Sequence, residues 1–317
     1  MSFARYVLRR FTLALVSLVV ASALIFAMLR LLPGDIAETK LGVGATPEAV
    51  AQLREELGLN RSAVAQYGEW LTNAATGDLG KSLISEVSVS SELASKSQVT
   101  LPLVLTSALL SLILALPLGL FAALRNRRPD GTALSITSQL GMAIPSFWVG
   151  VILITIFAVN RELLPAGGFP EGGWSETPEA VRSLILPIAT LTIAQSAVLI
   201  RFARSSALET LNQDFLRTAR ATGLTRIQAL RIHGLRSALI PVVSVLGIQV
   251  STLIVGAIVV ESVFALPGIG QMLLQDVAIR DFNKVMGTLV VAMGVVFVVS
   301  FITDLIIGLL DPRTVKR

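Results

Sequence analysis

Six long apolar runs divide this chain, and they constrain its fold more than any other feature of the sequence. They cover residues 11–32, 100–124, 134–159, 183–203, 238–263 and 285–310. A helix needs about 20 mostly apolar residues to cross the hydrocarbon core of a bilayer, and each run is long enough. Because backbone amides in lipid must pair within their own segment, the runs predict six membrane-spanning helices. The expected fold class is an all-α, polytopic membrane protein.

The composition agrees with a chain that lies mostly in lipid. Of the 317 residues, 53% are hydrophobic and 15% are charged, whereas ordinary globular domains carry about 25% charged residues. The apolar run at 11–32 is longer than the roughly 7–15 residues of a cleaved signal peptide's core, so we expect it to remain as the first span. A single transmembrane domain over residues 1–317, in the cytoplasmic membrane, is predicted.

Clusters of arginine and lysine predict the orientation of the chain. If the N-terminus is cytoplasmic, then Arg125, Arg127 and Arg128, the loop 204–237 and the tail 313–317 all fall on the same side. Short loops rich in Lys and Arg stay in the cytoplasm, so both termini are expected there. The surplus of basic residues on the cytoplasmic side accounts for the net charge of +5. Because this surplus serves to orient the chain, no nucleic-acid partner is expected.

The two longer segments on the opposite side have different characters. Residues 33–99 predict an external helical cap, because Thr46-Pro47-Glu48 is typical of a helix start and Tyr67 and Trp70 lie in an amphipathic stretch. Residues 160–182 are rich in glycine and proline and predict irregular structure. The segment Gly77–Ser82 is similar to the end of a phosphate-binding loop, but Ala75 replaces the required first glycine, so a turn is expected.

The residue inventory excludes several kinds of chemistry. The chain has no cysteine and a single histidine, His233, so disulfides, cysteine nucleophiles and His- or Cys-based metal sites are not expected. We expect no cofactor and no catalytic residues, which argues against a membrane-embedded enzyme. Charged groups within lipid are costly, and for Glu261 and Asp304 we expect structural pairing rather than a role in transport.

The loop 204–237 is the segment most informative about function. Asp214 is predicted to cap a short helix that Gly223 ends, and Thr225 is predicted to cap a second helix that runs into the fifth span near Pro241. Small residues such as Ala219 allow another backbone to approach closely, and Arg217 and Arg220 lie on one side of the first helix. The loop therefore predicts a docking surface for a soluble cytoplasmic partner.

The same loop and other short segments resemble one family of membrane proteins. Arg217-Thr218-Ala219, followed by Gly223-Leu224, is similar to the EAA loop of ABC importer permeases. Six further segments resemble the dipeptide, oligopeptide and nickel branch of these permeases, in this order: Leu31-Leu32-Pro33-Gly34-Asp35, Leu57-Gly58-Leu59, Gly77-Asp78-Leu79-Gly80, Ile144-Pro145-Ser146-Phe147-Trp148, Glu261-Ser262-Val263-Phe264-Ala265-Leu266-Pro267-Gly268-Ile269-Gly270 and Leu310-Asp311-Pro312-Arg313. In one departure, Leu235-Arg236 stands where the general motif has Leu-Pro, and the proline comes later as Pro241.

The resemblance implies a function and a set of partners. It implies a permease subunit of an ATP-driven importer of short peptides, which works with a second permease, two cytoplasmic ATP-binding subunits and an external solute-binding protein. It also implies that ATP hydrolysis belongs to the partner subunits. The implied ATPase-coupling residues are Asp214, Arg217, Thr218, Ala219, Arg220, Gly223 and Leu224.

The cargo and its path are open at this point. Uncharged polar residues within the predicted spans are candidates for the translocation path: Gln139, Ser146, Gln195, Ser196, Gln249, Ser251 and Thr252. They could bind a passing peptide amide, or they could form contacts between helices. Nickel complexes and glutathione-like solutes are alternative cargoes. A self-powered secondary transporter or channel is the alternative from another class, although mid-span acids and broken helices are not evident in the sequence.

Overall fold

The structure is a computed structural model, and residues 3–31, 36–42, 44–56 and 58–310 are described. In these ranges the chain is almost entirely helical, and the only extended pairing is an isolated bridge between Lys81 and Ser88. The α-helices of the described ranges are α1 (Phe3–Leu31), α2 (Ile36–Leu41), α3 (Pro47–Glu56), α4 (Ala63–Ala75), α5 (Val89–Leu124), α6 (Pro129–Ala143), α7 (Ser146–Leu153), α8 (Thr177–Leu211), α9 (Asp214–Ala221), α10 (Arg226–Ala229), α11 (Leu235–Val263), α12 (Ile269–Ala278) and α13 (Phe282–Leu310).

The helices long and apolar enough to cross a membrane agree with the predicted fold class. Five continuous candidates are Ala4–Leu31, Val89–Leu124, Gly173–Leu211, Arg226–Val263 and Phe282–Leu310. A sixth arises if Pro129–Ala143 and Ser146–Val159 are counted as one bent span. The all-α, polytopic fold is confirmed.

The third predicted span, 134–159, is not one continuous helix, although its two halves together give the sixth candidate span. Helices α6 and α7 meet at Ile144 and Pro145 with a bend of 100°. Ile144 is extended, with φ −83° and ψ 121°, because the ring of a following proline disfavours the helical conformation at the residue before it. The second half ends as a π-helix over Ile154–Val159.

Several helices extend beyond the apolar runs that predict them. Helix α5 begins at Val89, within the segment expected to form the external cap, and α8 begins at Thr177 and continues to Leu211. The segment 160–182 is therefore helical in its last part, which corrects the expectation of an irregular loop; a 3₁₀ turn over Gly173–Glu176 precedes α8. Apolar runs mark only the part of a helix that lies in lipid, and polar residues continue the same hydrogen-bonding pattern beyond it.

The chain divides into two compact units. The first comprises the residues up to Phe11, Thr100–Leu266 and those from Val298 onward; the second comprises Thr12–Val99 and Pro267–Phe297. In the first unit, α8 is the most buried long helix and packs against α6, α7 and α11. The hydroxyl of Ser206 on α8 donates to the carbonyl of Ala238 on α11 at 2.9 Å, which fixes the register of these two helices.

Both acids of the predicted spans are paired within the first unit, as expected from the cost of an isolated charge in lipid. Asp304 Oδ2 lies 3.1 Å from the guanidinium of Arg10. Glu261 is fully buried, and its Oε1 accepts a hydrogen bond from Thr100 Oγ1 at 2.6 Å. These contacts join the ends of helices that are distant in sequence.

The second unit contains the short helices α2, α3 and α4. Thr46 caps α3 as predicted, because its Oγ1 accepts from the amide of Ala49 at 3.3 Å. Tyr67 lies on α4 and its hydroxyl is 2.8 Å from Ser22 Oγ on α1. The predicted features at 32–35, Leu57 and 311–317 lie outside the described residues.

The segment Gly77–Ser82 forms a turn, as predicted. Gly77 and Gly80 have φ of 88° and 84°, conformations that glycine adopts without steric cost. Ser82 is buried, and its hydroxyl donates to the carboxylate of Asp281. The Ser82 hydroxyl therefore makes its hydrogen bond within the protein.

Candidate coupling surface and polar path

Helix α9 forms the centre of the predicted docking surface. Its cap position is held by Gln213, which makes no side-chain capping bond, so the prediction that Asp214 caps the helix was wrong. Asp214 is the first helical residue, and its Oδ1 lies 3.2 Å from Arg217. A carboxylate in the first turn stabilises a helix through the positive end of its dipole. The hydroxyl of Thr218 donates to the backbone carbonyl of Asp214 at 3.1 Å.

One side of α9 is fixed to the ends of the long helices by apolar packing. Leu216 is fully buried in a cluster that also contains Ala123 of α5, Leu211 of α8 and Leu230. Ala219 and Leu224, both predicted coupling residues, are partly buried against this cluster. Burying a leucine side chain contributes about 1.5–3 kcal/mol, so α9 is a fixed element rather than a loose loop.

The turn after α9 follows the sequence prediction. Gly223 has φ of 98° and ends the helix, and no heavy atom lies within 4 Å of where a Cβ would be. Thr225 caps α10 in a reciprocal arrangement, in which its Oγ1 accepts from the amide of Gln228 at 3.3 Å and the Gln228 side chain accepts from the amide of Thr225 at 3.0 Å. The predicted second helix is confirmed.

Helix α10 continues into the membrane-spanning helix without a break. A π-helix over Leu230–Gly234 joins it to α11. Gly234 allows a close approach, because a Cβ there would lie 3.1 Å from Leu216 Cδ1 and 3.1 Å from Thr210 Cγ2. At the start of α11, Arg236 donates to the carbonyl of Leu310 at 2.6 Å and to that of Leu309 at 3.1 Å. The basic segment is therefore connected by hydrogen bonds to the end of α13.

The opposite side of this segment is exposed and mixes charge with apolar area. The exposed arginines are Arg217, Arg220, Arg226 and Arg231. Phe215, Ile227 and Ile232 are also exposed, with Phe215 at 45%. Aromatic residues and arginine are enriched where proteins bind each other. We call residues 214–232 of this exposed side the coupling surface.

Sequence reasoning missed the residues that hold the coupling surface in place. Leu216, Leu230 and Gly234 carry the packing, and Phe215 adds an exposed aromatic ring. The helical spacing of Leu216 and Ala219 was the signal for a buried side of α9. His233 is exposed in the π-helix, in the loop position that the sequence predicts.

The seven candidate path residues do not share one environment. Gln195, Ser196 and Gln249 are buried, Ser146 and Ser251 are half-buried, and Gln139 and Thr252 are exposed. Gln139 donates to the carbonyl of Ser135 in its own helix at 3.1 Å. Among the described residues no group of three His, Cys, Asp or Glu side chains could hold a metal ion.

The sequence matches two family descriptions that together cover nearly the whole chain. Residues 115–316 match the binding-protein-dependent transport system inner membrane component. Residues 3–103 match the N-terminal part of a binding-protein-dependent transport system membrane component.

Three relatives of this chain are transport permeases by name. The oligopeptide transport system permease protein AppB of Bacillus subtilis is 34% identical over 312 residues, covering 98% of this chain and 99% of AppB. The dipeptide transport system permease protein DppB of Escherichia coli strain K12 is 34% identical and covers 98% of each chain. The glutathione transport system permease protein GsiC of Escherichia coli O6:H1 is also 34% identical, over 97% of each.

A solved structure has a similar fold. The inward-facing MetNI methionine ABC transporter contains a chain with a TM-score of 0.53 and 19% identity, which covers 69% of this chain and 96% of its own length. At this identity the likeness concerns the fold alone. The full-length relatives and the match over 115–316 decide the family. This chain belongs to the inner membrane components of binding-protein-dependent transport systems.

Proposed function

We propose that this chain is the permease subunit of an ATP-driven importer of short peptides, with both termini and the coupling surface in the cytoplasm. Relatives named for dipeptide and oligopeptide transport align over almost their full length. The basic residues of the 204–237 loop favour this orientation. A second, similar permease, two ATP-binding subunits and an external solute-binding protein complete the transporter. The chain itself catalyses no reaction.

The observation that carries this proposal is the two-sided construction of α9. Leu216 attaches one side to α5 and α8, while Phe215, Arg217 and Arg220 remain exposed on the coupling surface. A force applied to an attached helix is transmitted to the helices that hold it. When the ATP-binding subunits close, they would displace α9 together with the ends of the spans, and the path would change its accessible side.

The polar path would recognise the peptide backbone rather than its side chains. The candidate residues in the spans, such as Gln195 and Gln249, are uncharged and can both donate and accept hydrogen bonds. They could replace part of the water around an amide without selecting a side chain. Cargo choice would then belong mainly to the external binding protein. Glutathione is the second candidate cargo, because GsiC is as similar to this chain as DppB is.

The orientation can be tested with single cysteines, since the chain has none of its own. Asn60→Cys should react with a membrane-impermeant maleimide in intact cells, and Asn212→Cys should react only after the membrane is opened. The reverse pattern would contradict the orientation and with it the docking of ATP-binding subunits.

The coupling surface can be tested by co-purification of the ATP-binding subunits. Phe215→Ala removes an exposed ring, so it should weaken their retention and reduce peptide uptake while the permease still inserts in the membrane. Val64→Ala is the control, because Val64 is an apolar residue of α4 with 82% exposure. If Phe215→Ala and a double Arg217→Glu, Arg220→Glu variant both keep the subunits and normal uptake, the coupling surface is wrongly assigned.

A further inference from the structure

Helix α8 carries four buried polar atoms that have no hydrogen-bond partner among the described residues. One is Arg204 Nε, whose side chain donates to Asn126 through Nη2; the other three are Thr192 Oγ1, Gln195 Nε2 and Ser196 Oγ. The three residues are 5%, 5% and 7% exposed. Residues spaced by three and four positions lie on one face of a helix, so these groups form a continuous polar stripe on α8.

Three other buried hydroxyls on the same helix, those of Ser183, Thr190 and Ser206, are paired. Thr190 Oγ1 donates to the carbonyl of Leu186 at 2.8 Å, and Ser183 Oγ donates to that of Ala180 at 2.8 Å. A serine or threonine in a helix can bond to its own backbone in this way. The unpaired stripe is therefore a local property of residues 192–196 and does not follow from placing hydroxyls on a buried helix.

The stripe lies toward two neighbouring long helices. Leu199 continues the same row of α8 and packs with Ala115 of α5, and Val245 and Leu246 of α11 pack against this cluster. Ser107 of α5 donates to the carbonyl of Ile188 at 3.4 Å. These two contacts set the register of α5 along α8, and they place Ser111, which is fully buried, at the level of the stripe.

A small cavity separates the same three helices, α5, α8 and α11, toward the C-terminal end of α8. A cavity of about 120 Å³ lies among Leu116 and Leu120 of α5, Ala203 of α8, and Ala238 and Val242 of α11. Helices that enclose a cavity have room to shift against each other. A buried polar group without a partner is unfavourable, and in the bilayer core no water replaces the missing bond. A rearrangement that exposes the stripe would remove this cost.

We propose that the α8 stripe is a section of the translocation path that is closed in this state and opens in another state of the transport cycle, where it binds backbone amides of the peptide. The inference rests on the proposed function. An amide and two hydroxyls provide donors and acceptors without charge, which matches the C=O and N–H groups that every peptide shares. In the closed state the same groups are left unpaired.

Cysteine accessibility in the complete transporter tests this inference. Thr192→Cys, Gln195→Cys and Ser196→Cys are made one at a time, with Ser183→Cys as the control that is equally buried on the same helix. A small neutral thiol reagent, methyl methanethiolsulfonate, is applied to the nucleotide-free and vanadate-trapped complexes. We expect the stripe cysteines to react roughly tenfold faster in one of the two states, and an unlabelled dipeptide to slow that reaction. The cysteine at 183 should stay protected in both states.

Two outcomes separate this inference from the proposed function. If the transporter imports peptides but the stripe cysteines remain as protected as the one at 183 in both states, the stripe is structural and the inference is wrong. If the unsubstituted transporter imports no peptide with its own binding protein, the proposed function fails first. Replacement with valine gives a second readout: Thr192→Val should reduce uptake several-fold, whereas Thr190→Val should leave it unchanged. Equal effects of the two valines would also contradict the inference.

Discussion

Lys284 Nζ lies 2.8 Å from Asp276 Oδ1. Glu92 Oε2 lies 3.0 Å from the same ammonium group, so one lysine of α13 joins α12 to the start of α5 within the second unit. The Lys284 and Asp276 side chains are 9% and 3% exposed. Next to them, Asp281 accepts from the Ser82 hydroxyl. This buried cluster has four charged groups, of which three are acids.

Removing Lys284 should destabilise the second unit strongly. Lys284→Met would leave the buried Asp276 and the half-buried Glu92 beside each other without a cation, and breaking a buried pair costs about 3–5 kcal/mol. Arg61→Ala is the control, because its pair with Glu69 is exposed and such pairs contribute only about 0–1 kcal/mol. Thermal unfolding of the detergent-solubilised protein should show a large decrease in Tm for the first variant and a small one for the second. Equal shifts would contradict the assignment of the cluster.

Asp276 should make stability depend on pH. Burial raises the pKa of its carboxyl above the ordinary value of 3.8; Lys284 opposes this, while Asp281 and Glu92 add to it. In the pH range from 3.8 up to the raised pKa, the folded protein holds a proton that the unfolded chain has released. The free energy of unfolding should therefore fall as pH rises from 3.8 to the raised pKa.

The variant Asp276→Asn should lose this part of the pH dependence, measured as the difference from the unsubstituted protein in urea unfolding at several pH values. Glu55→Gln, an exposed change on α3, should leave the slope as it is. A slope that Asp276→Asn leaves unchanged would mean that another group titrates.

Gly119 should tolerate no side chain. A Cβ there would lie 2.5 Å from Ala203 Cβ and 3.0 Å from the carbonyl oxygen of Ile200, so Gly119→Ala forces α5 away from α8 and costs about 1–3 kcal/mol. Gly294 of α13 is the control, because no heavy atom lies within 4 Å of its Cβ position, and alanine is the better helix former. Gly294→Ala should keep or raise the Tm. Similar losses in both variants would show that packing against α8 is not the cause.

The effect of a substitution at Gly223 should depend on how well the new residue tolerates a positive φ, and not on the volume of its side chain. Nothing lies within 4 Å of its Cβ position, but its φ of 98° is unfavourable for other residues. Gly223→Val should cost about 1–2 kcal/mol and reduce both peptide uptake and retention of ATP-binding subunits. Gly223→Asn should be milder, since asparagine tolerates positive φ better. Full uptake by the valine variant would remove this turn from the coupling mechanism.

Features decided by a few neighbouring residues were predictable from the sequence. The apolar runs identify the spans, and the caps at Thr46 and Thr225 and the turn at Gly223 each depend on three or four consecutive residues. The position of Asp214 was wrong by one residue, because aspartate is favourable both as a cap and in the first turn. The sequence alone does not distinguish these two positions.

Features decided by contacts between distant residues could not be predicted. Ser82 and Asp281 are 199 positions apart, and no local pattern indicates that they meet. The sequence does not distinguish Leu216 from the other leucines, because its role depends on the packing of α9 against α5 and α8. The Gln195 amide is unpaired because no acceptor from another described part of the chain lies within hydrogen-bond distance of its Nε2. The sequence does not show which residues surround this side chain.

The break between α6 and α7 has a consequence for how the protein enters the membrane. Helix α6 has 15 residues, while α7 and the π-helix after it have 8 and 6. Each half is shorter than the roughly 20 residues that an independent membrane helix needs. The two halves, counted as one bent span, must therefore enter the bilayer together, because non-helical backbone such as that at Ile144 is tolerated at membrane depth only where protein covers it. Biogenesis of this segment should depend on earlier and later helices, so a chain truncated before α8 should be inserted incompletely and degraded.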